Sequence, residues 1–256
     1  MSSPSSIPTP GGGHDATATR SALVIGAGGL GCAAVFALAA AGVRRVAVVD
    51  DDRVDATNLH RQLFHAASAV GELKVVSLAR AARARFPHLE VETLTARFDA
   101  TTAPAIALRC DVIVDGSDNF ATKFLANDVA ILARKPLVHG AAVALGGQLM
   151  TVPVGGRPCY RCLFEELPPA GVGPSCAESG VLGPVPGVIG ALQGAEAARI
   201  LAGESPRFSG QIVQYDAPSM SFRTVHFKPN RACGICGPTP TIRFLDPTAY
   251  PAPSCL

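Results

Sequence analysis

The sequence predicts an α/β fold: a doubly wound, Rossmann-like, mainly parallel sheet with a C-terminal antiparallel part and a structural zinc site. Three observations predict it. Short apolar runs alternate with longer helical segments through the first 150 residues, the pattern of a parallel sheet with crossover helices. The stretch GAGGLG links the first run to a small-residue helix; Gly26, Gly28 and Gly31 fit G-x-G-x-x-G, and Gly29 is an additional glycine. Asp50 closes the second run, 19 residues after Gly31, where a βαβ nucleotide site presents a carboxylate to a ribose.

The elements follow in order. Ala22–Ile25 is the first strand, Gly29–Ala41 an alanine-rich helix that packs closely on the sheet, and Arg45–Val49 the second strand. Asp51–His65 is polar and irregular. Glu72–Arg85 reads as a helix ending before Pro87, Leu89–Leu94 alternates as a strand, and Thr101–Arg109 is a helix with Pro104 in its first turn. Val112–Asp115 is a buried strand and Asn119–Ala133 the helix after it. Leu137–Ala144 and Gln148–Val152 read as strands around a Gly146–Gly147 turn. Leu167–Pro186 is a Pro/Gly/Ser-rich loop, Gly187–Leu201 is helical with Gly203 as its stop, and Gly210–Asp216 with Ser221–Lys228 form an antiparallel pair. Residues 1–20 read as a disordered tail, 21–237 as a single domain (nucleotide part 21–152, metal and partner part 153–237), and 238–256 as a loose tail.

At 256 residues and 48% hydrophobic, the chain can bury a large core. A net charge of +2 gives no electrostatic case for nucleic acid or an anionic membrane. Residues 21–43 are uncharged, long enough to span a bilayer, but four glycines in six residues followed by VAVVD favour strand–turn–helix. Residues 1–20 carry no apolar signal region, so the expected compartment is the cytoplasm and the eight cysteines are expected as thiols or metal ligands.

Two Cys-x-x-Cys motifs, Cys159/Cys162 and Cys233/Cys236, supply four thiolates for a tetrahedral zinc ion. The 70 residues between them make the site a tie between distant segments; the bland alternatives are a redox pair or core thiols. Cys32 and Cys110 read as core. Cys176, in GPSCAESG, is a loop thiol, a core cysteine or a nucleophile activated by a following helix N-terminus. His139 reads as structural.

The segment DDDRVDATNLHR after the second strand shifts the reading away from hydride transfer. Cleaving a nucleoside triphosphate needs cations on its phosphates and a carboxylate for magnesium. Arg61 and Lys74 are the candidate cations, Asn58 bridges to phosphate or ribose, and Asp118 follows the strand VIVDG at the ligand edge of the sheet. Each of these charges alone would read as a solvated surface residue; their shared position at one sheet edge singles them out.

GAGGLG, VVDDDRVDATNLHRQ, GELKV, DGSDN, the paired CxxC and CAESGVLGPVPGVIG together resemble the ThiF/MoeB/HesA family, relatives of the ubiquitin-activating enzymes, over roughly residues 20–237. The resemblance, strongest to the MoeB and ThiF members, implies an ATP-dependent adenylyltransferase. Such an enzyme activates the C-terminal glycine of a small ubiquitin-like sulfur-carrier protein with a Gly-Gly end, for molybdopterin or thiamine sulfur transfer. It implies that Gly26, Gly28 and Gly29 hold phosphates, that Asp50 and Asp52 lie at the ribose side, and that Thr57, Asn58, Leu59, His60, Arg61, Lys74, Asp118 and Asn119 complete the ATP and Mg2+ site. Arg61, Lys74, Asp118 and Cys176 are the implied catalytic residues, and the CxxC pairs the Zn2+ ligands. A homodimer and a separate sulfur-donor protein are the implied partners. Residues 1–20 lack the R-Y-x-R-Q-like segment that the family places before the first strand. Two other readings stay open: an NAD(P)-dependent oxidoreductase, which leaves Arg61, Lys74 and the CxxC pairs unused, and a non-catalytic carrier-binding relative.

Overall fold

The computed structural model describes residues 19–168 and 180–251. Among them are eight strands: β1 (Ser21–Ile25), β2 (Arg45–Val49), β3 (Glu90–Leu94), β4 (Val112–Asp115), β5 (Leu137–Val143), β6 (Gly146–Val152), β7 (Gln211–Asp216) and β8 (Ser221–His226). They form one sheet in the order β3-β2-β1-β4-β5-β6-β7-β8. The first five run parallel, with Val24 of β1 opposite Val48 and Val114, and β5 to β8 pair antiparallel. Strand order reverses between β1 and β4, which opens a crevice at their carboxyl ends. All five residues of β1 are buried, so SALVI needs no polar alternation.

Among the described residues, six helices cover the sheet: α1 (Gly29–Ala40), α2 (Lys74–Arg85), α3 (Ala103–Leu108), α4 (Phe120–Leu132), α5 (Tyr160–Leu163) and α6 (Pro184–Leu201). Side chains of α1, α2 and α6 pack with Val24, Val48, Val114 and Val138 on one face. Those of α3 and α4 pack with Leu23, Ile25, Ile113 and Met150 on the other, and Cys159, Cys233 and Cys236 join this second layer. The uncharged stretch 21–43 is thus β1, the glycine turn and α1. No helix among the described residues is long and apolar enough to cross a membrane.

Several boundaries differ from expectation for physical reasons. The β5–β6 turn falls at Ala144–Leu145, with Ala144 at φ +50°, and not at Gly146–Gly147. Gly147 instead lies inside β6, where a Cβ would sit 2.4 Å from Ile189 Cγ1; the glycine makes room for α6. Helix α6 starts at Pro184, inside the expected loop, because prolines fit a first turn whose N–H groups lack helical partners. Glu72 precedes α2 and holds Arg80 through two contacts of 2.6 and 2.7 Å. The segment after 237 is fastened up to Tyr250. Ile242, Leu245 and Tyr250 pack on the core, and Tyr250 Oη donates to the buried Asp128 at 2.7 Å.

The contact between α1 and α6 is made by small residues. A Cβ at Gly190 would lie 2.2 Å from Leu30 O, and one at Gly194 would lie 2.5 Å from Ala34 O. Gly194→Ala should therefore destabilise the protein by about 1–3 kcal/mol, the usual cost of overpacking. Urea unfolding measures this, and an unchanged midpoint would mean that α6 retreats freely from α1.

Candidate functional site

The site is built where β1, β2 and β4 end. Gly26 adopts φ +89°, its N–H bonds Val49 O at 2.9 Å, and Gly116 N–H bonds Ile25 O at 2.9 Å. The turns after β1 and β4 meet backbone to backbone. A Cβ at Gly31 would fall 1.8 Å from Gly26 O, and one at Gly116 would fall 2.9 Å from Gly31 N. The open turn Ala27–Gly28 leads into α1, whose first N–H groups lack helical acceptors and favour an anion.

Asp50, at the end of β2, accepts from Ala27 N–H at 2.7 Å and Asp52 N–H at 2.8 Å. Burial pushes its carboxyl up from the ordinary range, against the pull of these bonds and of Lys74. Its carboxylate therefore also shapes the glycine turn beside it. Asp50, Asp51 and Asp52 bring carboxylate oxygens within 4.8 Å of one another. Lys74 Nζ lies 2.6 Å from Asp52 Oδ2, with the lysine buried and the carboxylate 66% exposed.

The segment Thr57–Arg61 lies against the start of both α1 and α6. A Cβ at Gly29 would meet Arg61 O at 2.6 Å and Pro186 Cβ at 2.8 Å; one at Gly183 would meet His60 O at 2.4 Å. Asp55 caps the short 3-10 helix Ala56–Asn58, accepting from Thr57 N and Thr57 Oγ1 at 2.8 and 2.7 Å. The Thr57 hydroxyl is thus engaged by the cap. His60 Nδ1 donates to Thr57 O at 2.8 Å, which leaves Nε2 as an acceptor 3.5 Å from Arg61 Nη1. Leu59 and Arg61 are half-buried. Asp118 is exposed on the loop after β4, and Asn119 caps α4 through a 2.8 Å bond from Thr122 N–H. Glycines, Asp50, the 57–61 segment and the 116–119 loop thus share one edge. Cys176 lies outside the described residues.

Cys159, Cys162, Cys233 and Cys236 converge as the motifs require. Their sulfurs all lie within 4.8 Å of one another, with Cys159–Cys162 at 3.9 Å, Cys159–Cys233 at 3.6 Å and Cys162–Cys236 at 3.4 Å. A tetrahedron with Zn–S bonds of about 2.3 Å has edges of about 3.8 Å, so the cluster fits zinc. Hydrogen bonding from Cys159 brings the Cys236 thiol down to about 5, while the same bond together with burial pushes Cys159 up and burial pushes Cys162 up to about 11. Cys32 and Cys110 are buried core residues, as expected.

Two polar clusters escaped the sequence reading. Asp115 is fully buried, 3.1 Å from Lys123 Nζ and 2.8 Å from His139 Nδ1 through Oδ2. Burial pushes the Asp115 carboxyl up, but Lys123, His139 and Ser117 outweigh it and hold it below the usual carboxylate range. Burial lowers His139, so the ring is neutral and donates from Nδ1. The second cluster holds Asp128 between Arg161, at 2.8–3.0 Å, and Tyr250. The available signals were an ionisable residue ending the apolar run VIVD and an arginine inside the CxxC motif PCYRC.

The ThiF family profile matches residues 9–235. The chain belongs to the ThiF family. It is 42% identical to the sulfur carrier protein adenylyltransferase of Thermus thermophilus over 238 residues, covering 91% of this chain and 88% of that one. It is 45% identical to the SAMP-activating enzyme E1 of Haloferax volcanii, over 84% of this chain and 79% of that one. Identity to the adenylyltransferase and sulfurtransferase MOCS3 of Anopheles gambiae is 43% over 87% of this chain, which spans only 51% of that longer relative. Among solved structures, Escherichia coli MccB superposes with a TM-score of 0.77 at 19% identity, over 88% of this chain and 69% of that one, which supports the fold.

The buried histidines give a pH signature. His65, also lowered chiefly by burial, and His139 have folded pKa values below the ordinary 6.5. The unfolded chain then binds more protons as pH falls, so stability present above about pH 6.5 is lost below it. Asp115 acts lower, its contribution fading only below about pH 4, where unfolded carboxylates take up protons. The unfolding temperature should fall between pH 7 and 5, and His139→Gln should flatten that slope. Parallel slopes would assign the titration elsewhere.

Proposed function

We propose that this chain is an ATP-dependent adenylyltransferase. It activates the C-terminal glycine of a small ubiquitin-like sulfur-carrier protein and releases pyrophosphate, serving sulfur transfer of the molybdopterin or thiamine type. The observation that carries the reading is a joint one: the glycine turn meets the backbone of Arg61 and of the loop after β4 in a chain 42% identical over 91% of its length to a named sulfur carrier protein adenylyltransferase, which supports roles for Arg61, Lys74 and Asp118. A hydride-transfer reading leaves those groups and the four cysteines without a task.

The chemistry suits the residues. A carboxylate resists nucleophiles; joined to AMP it becomes a mixed anhydride with a good leaving group. The glycine carboxylate oxygen attacks the α-phosphorus, the bond to the β-phosphate oxygen breaks, and pyrophosphate departs. No general base is needed, and the work is in-line positioning and charge neutralisation. Gly26, Gly28 and Gly29 admit the phosphates beside the α1 N-terminus, Asp50 accepts from the ribose, and Asn58 and Asn119 orient the nucleotide. Arg61 and Lys74 face the charge that develops on the departing pyrophosphate. Mg2+ held by Asp118 would supply further neutralisation of the phosphates. Cys176 is proposed as a site of covalent carrier or sulfur exchange. An open groove of about 530 Å3 over the antiparallel strands, lined by Ala141, Gln148, Gln214, Asp216, Ser221 and Arg223, is the proposed path of the carrier tail. Cys159, Cys162, Cys233 and Cys236 would hold Zn2+, which would tie α5 to the Cys233–Cys236 turn. The proposed assembly is a cytoplasmic homodimer with a separate sulfur donor.

Carrier-dependent ATP–pyrophosphate exchange tests the reading. Lys74→Ala and Asp118→Ala should each lower the rate by about 100-fold or more, as removing charge stabilisation does. Undiminished exchange in both would refute the site, and tight NAD binding without ATP binding would refute the activity. Metal analysis should find a single zinc ion per chain. Its removal by a chelator should lower the unfolding temperature while Cys110→Ser keeps the metal; a metal-free chain of unaltered stability would overturn the zinc assignment.

A further inference from the structure

We propose that Asp115 is a positioning residue of this site: through Ser117, its buried carboxylate sets the turn that carries Asp118. The proposal rests on the adenylyltransferase reading for what Asp118 does, but its geometry stands apart from it.

Asp115 ends β4 and is 0% exposed, so it reaches no bound nucleotide. Each of its acceptors is nonetheless directed. Oδ1 takes Ser117 N–H at 2.9 Å and Ser117 Oγ–H at 2.5 Å. Oδ2 takes Lys123 Nζ at 3.1 Å and His139 Nδ1 at 2.8 Å, and the main-chain oxygen takes Gln193 Nε2 at 2.7 Å. Lys123 is held in turn by Gly140 O at 2.6 Å. The loop Gly116–Asn119 is therefore gripped from both sides by one carboxylate, at Ser117 within the loop and at Lys123 in the first turn of α4. Gly116 N–H on Ile25 O at 2.9 Å and the Asn119 cap also hold it. Of the residues Gly116–Asn119, Asp118 is the exposed one.

A buried ion pair is a poor route to stability, because desolvation opposes the attraction, and apolar replacements of like volume often do as well. What such a cluster supplies is direction. An apolar residue at 115 would keep β4 buried but leave Ser117 N–H and Oγ without an acceptor, and the turn would lose its aim. Residues that orient metal-binding carboxylates in this way, when replaced, cost about 10–100-fold in metal affinity or activity.

The test uses the full chain and three variants: Ser117→Ala, which deletes one bond, Ser117→Thr, which keeps the hydroxyl, and Asp115→Asn. Two quantities are read. One is the Mg2+ concentration that half-saturates carrier-dependent exchange. The other is the Mg2+ dependence of ATP binding by calorimetry with no carrier present, beside ATP binding in EDTA. Ser117→Ala should raise the Mg2+ requirement by about 10-fold in both, with ATP affinity in EDTA and the unfolding midpoint close to wild type. Ser117→Thr should restore it, and Asp115→Asn should shift it further. A merely structural role would lower the unfolding midpoint and leave the Mg2+ requirement in place; that result, or no shift in a folded Ser117→Ala, overturns the proposal. Wild-type protein without exchange sinks the adenylation reading instead, and the calorimetric arm still decides the role of Asp115.

Discussion

The site depends on one close approach. The turns after β1 and β4 touch through Gly26, Gly31 and Gly116: an added carbon at Gly116 would lie 2.9 Å from Gly31 N, one at Gly26 3.1 Å from Gly116 O, and one at Gly31 1.8 Å from Gly26 O within the first turn. Strand order reverses at the same place, so the sheet opens a crevice where the turns close it from beneath. Every other piece is set relative to that contact. Asp50 grips Ala27 N–H from one flank, the Thr57–Arg61 segment lies on Gly29 from above, and α6 brings Pro186 against it from the third side. The glycine spacing therefore has a structural consequence. It lets two loops and two helices share a volume in which ordinary side chains would hold them apart.

That arrangement explains which parts were legible in the sequence. Strands β1, β2 and β4 are short apolar runs bounded by turn residues, and their ends were read to within a residue. The cysteines were legible because each motif is local and four thiols have few other uses together. The β5–β6 turn was not, because Gly146–Gly147 looks like turn chemistry and serves instead to clear Ile189, a contact 42 residues away in sequence. The segment to Tyr250 read as loose because its anchor, Asp128, is 122 residues distant. Asp115 was visible as a letter in DGSDN, but its role follows from Lys123 and His139, which only the folded sheet brings to it.

The two layers of the molecule meet the site differently. On the α1–α6 side the contacts are made by small residues and backbone, so the glycine turn is placed by shape. On the α4 side the loop carrying Asp118 is placed by charge, and behind that charge stands the cysteine cluster. Tyr160, between Cys159 and Cys162, packs its ring 4.6 Å from His139 and 5.2 Å from Phe124. The cysteine cluster therefore packs, through Tyr160, against the same wall that holds His139 and Asp115.

Two lysine–aspartate pairs show how distance misleads without exposure. Lys74–Asp52 is the shorter, at 2.6 Å against 3.1 Å for Lys123–Asp115. Yet Asp52 is 66% exposed and Asp115 is 0%. A wet carboxylate gives up a partner at little cost, since water replaces it, and such pairs are worth about 0–1 kcal/mol. A dry one cannot, and losing a partner there costs about 3–5 kcal/mol. Lys74 thus pairs with a carboxylate that water still reaches, whereas Lys123 is committed to the fold. The same two residue types thus meet a solvated carboxylate at the very start of α2 and a dry one in the first turn of α4. What separates them is the depth of the carboxylate each one meets.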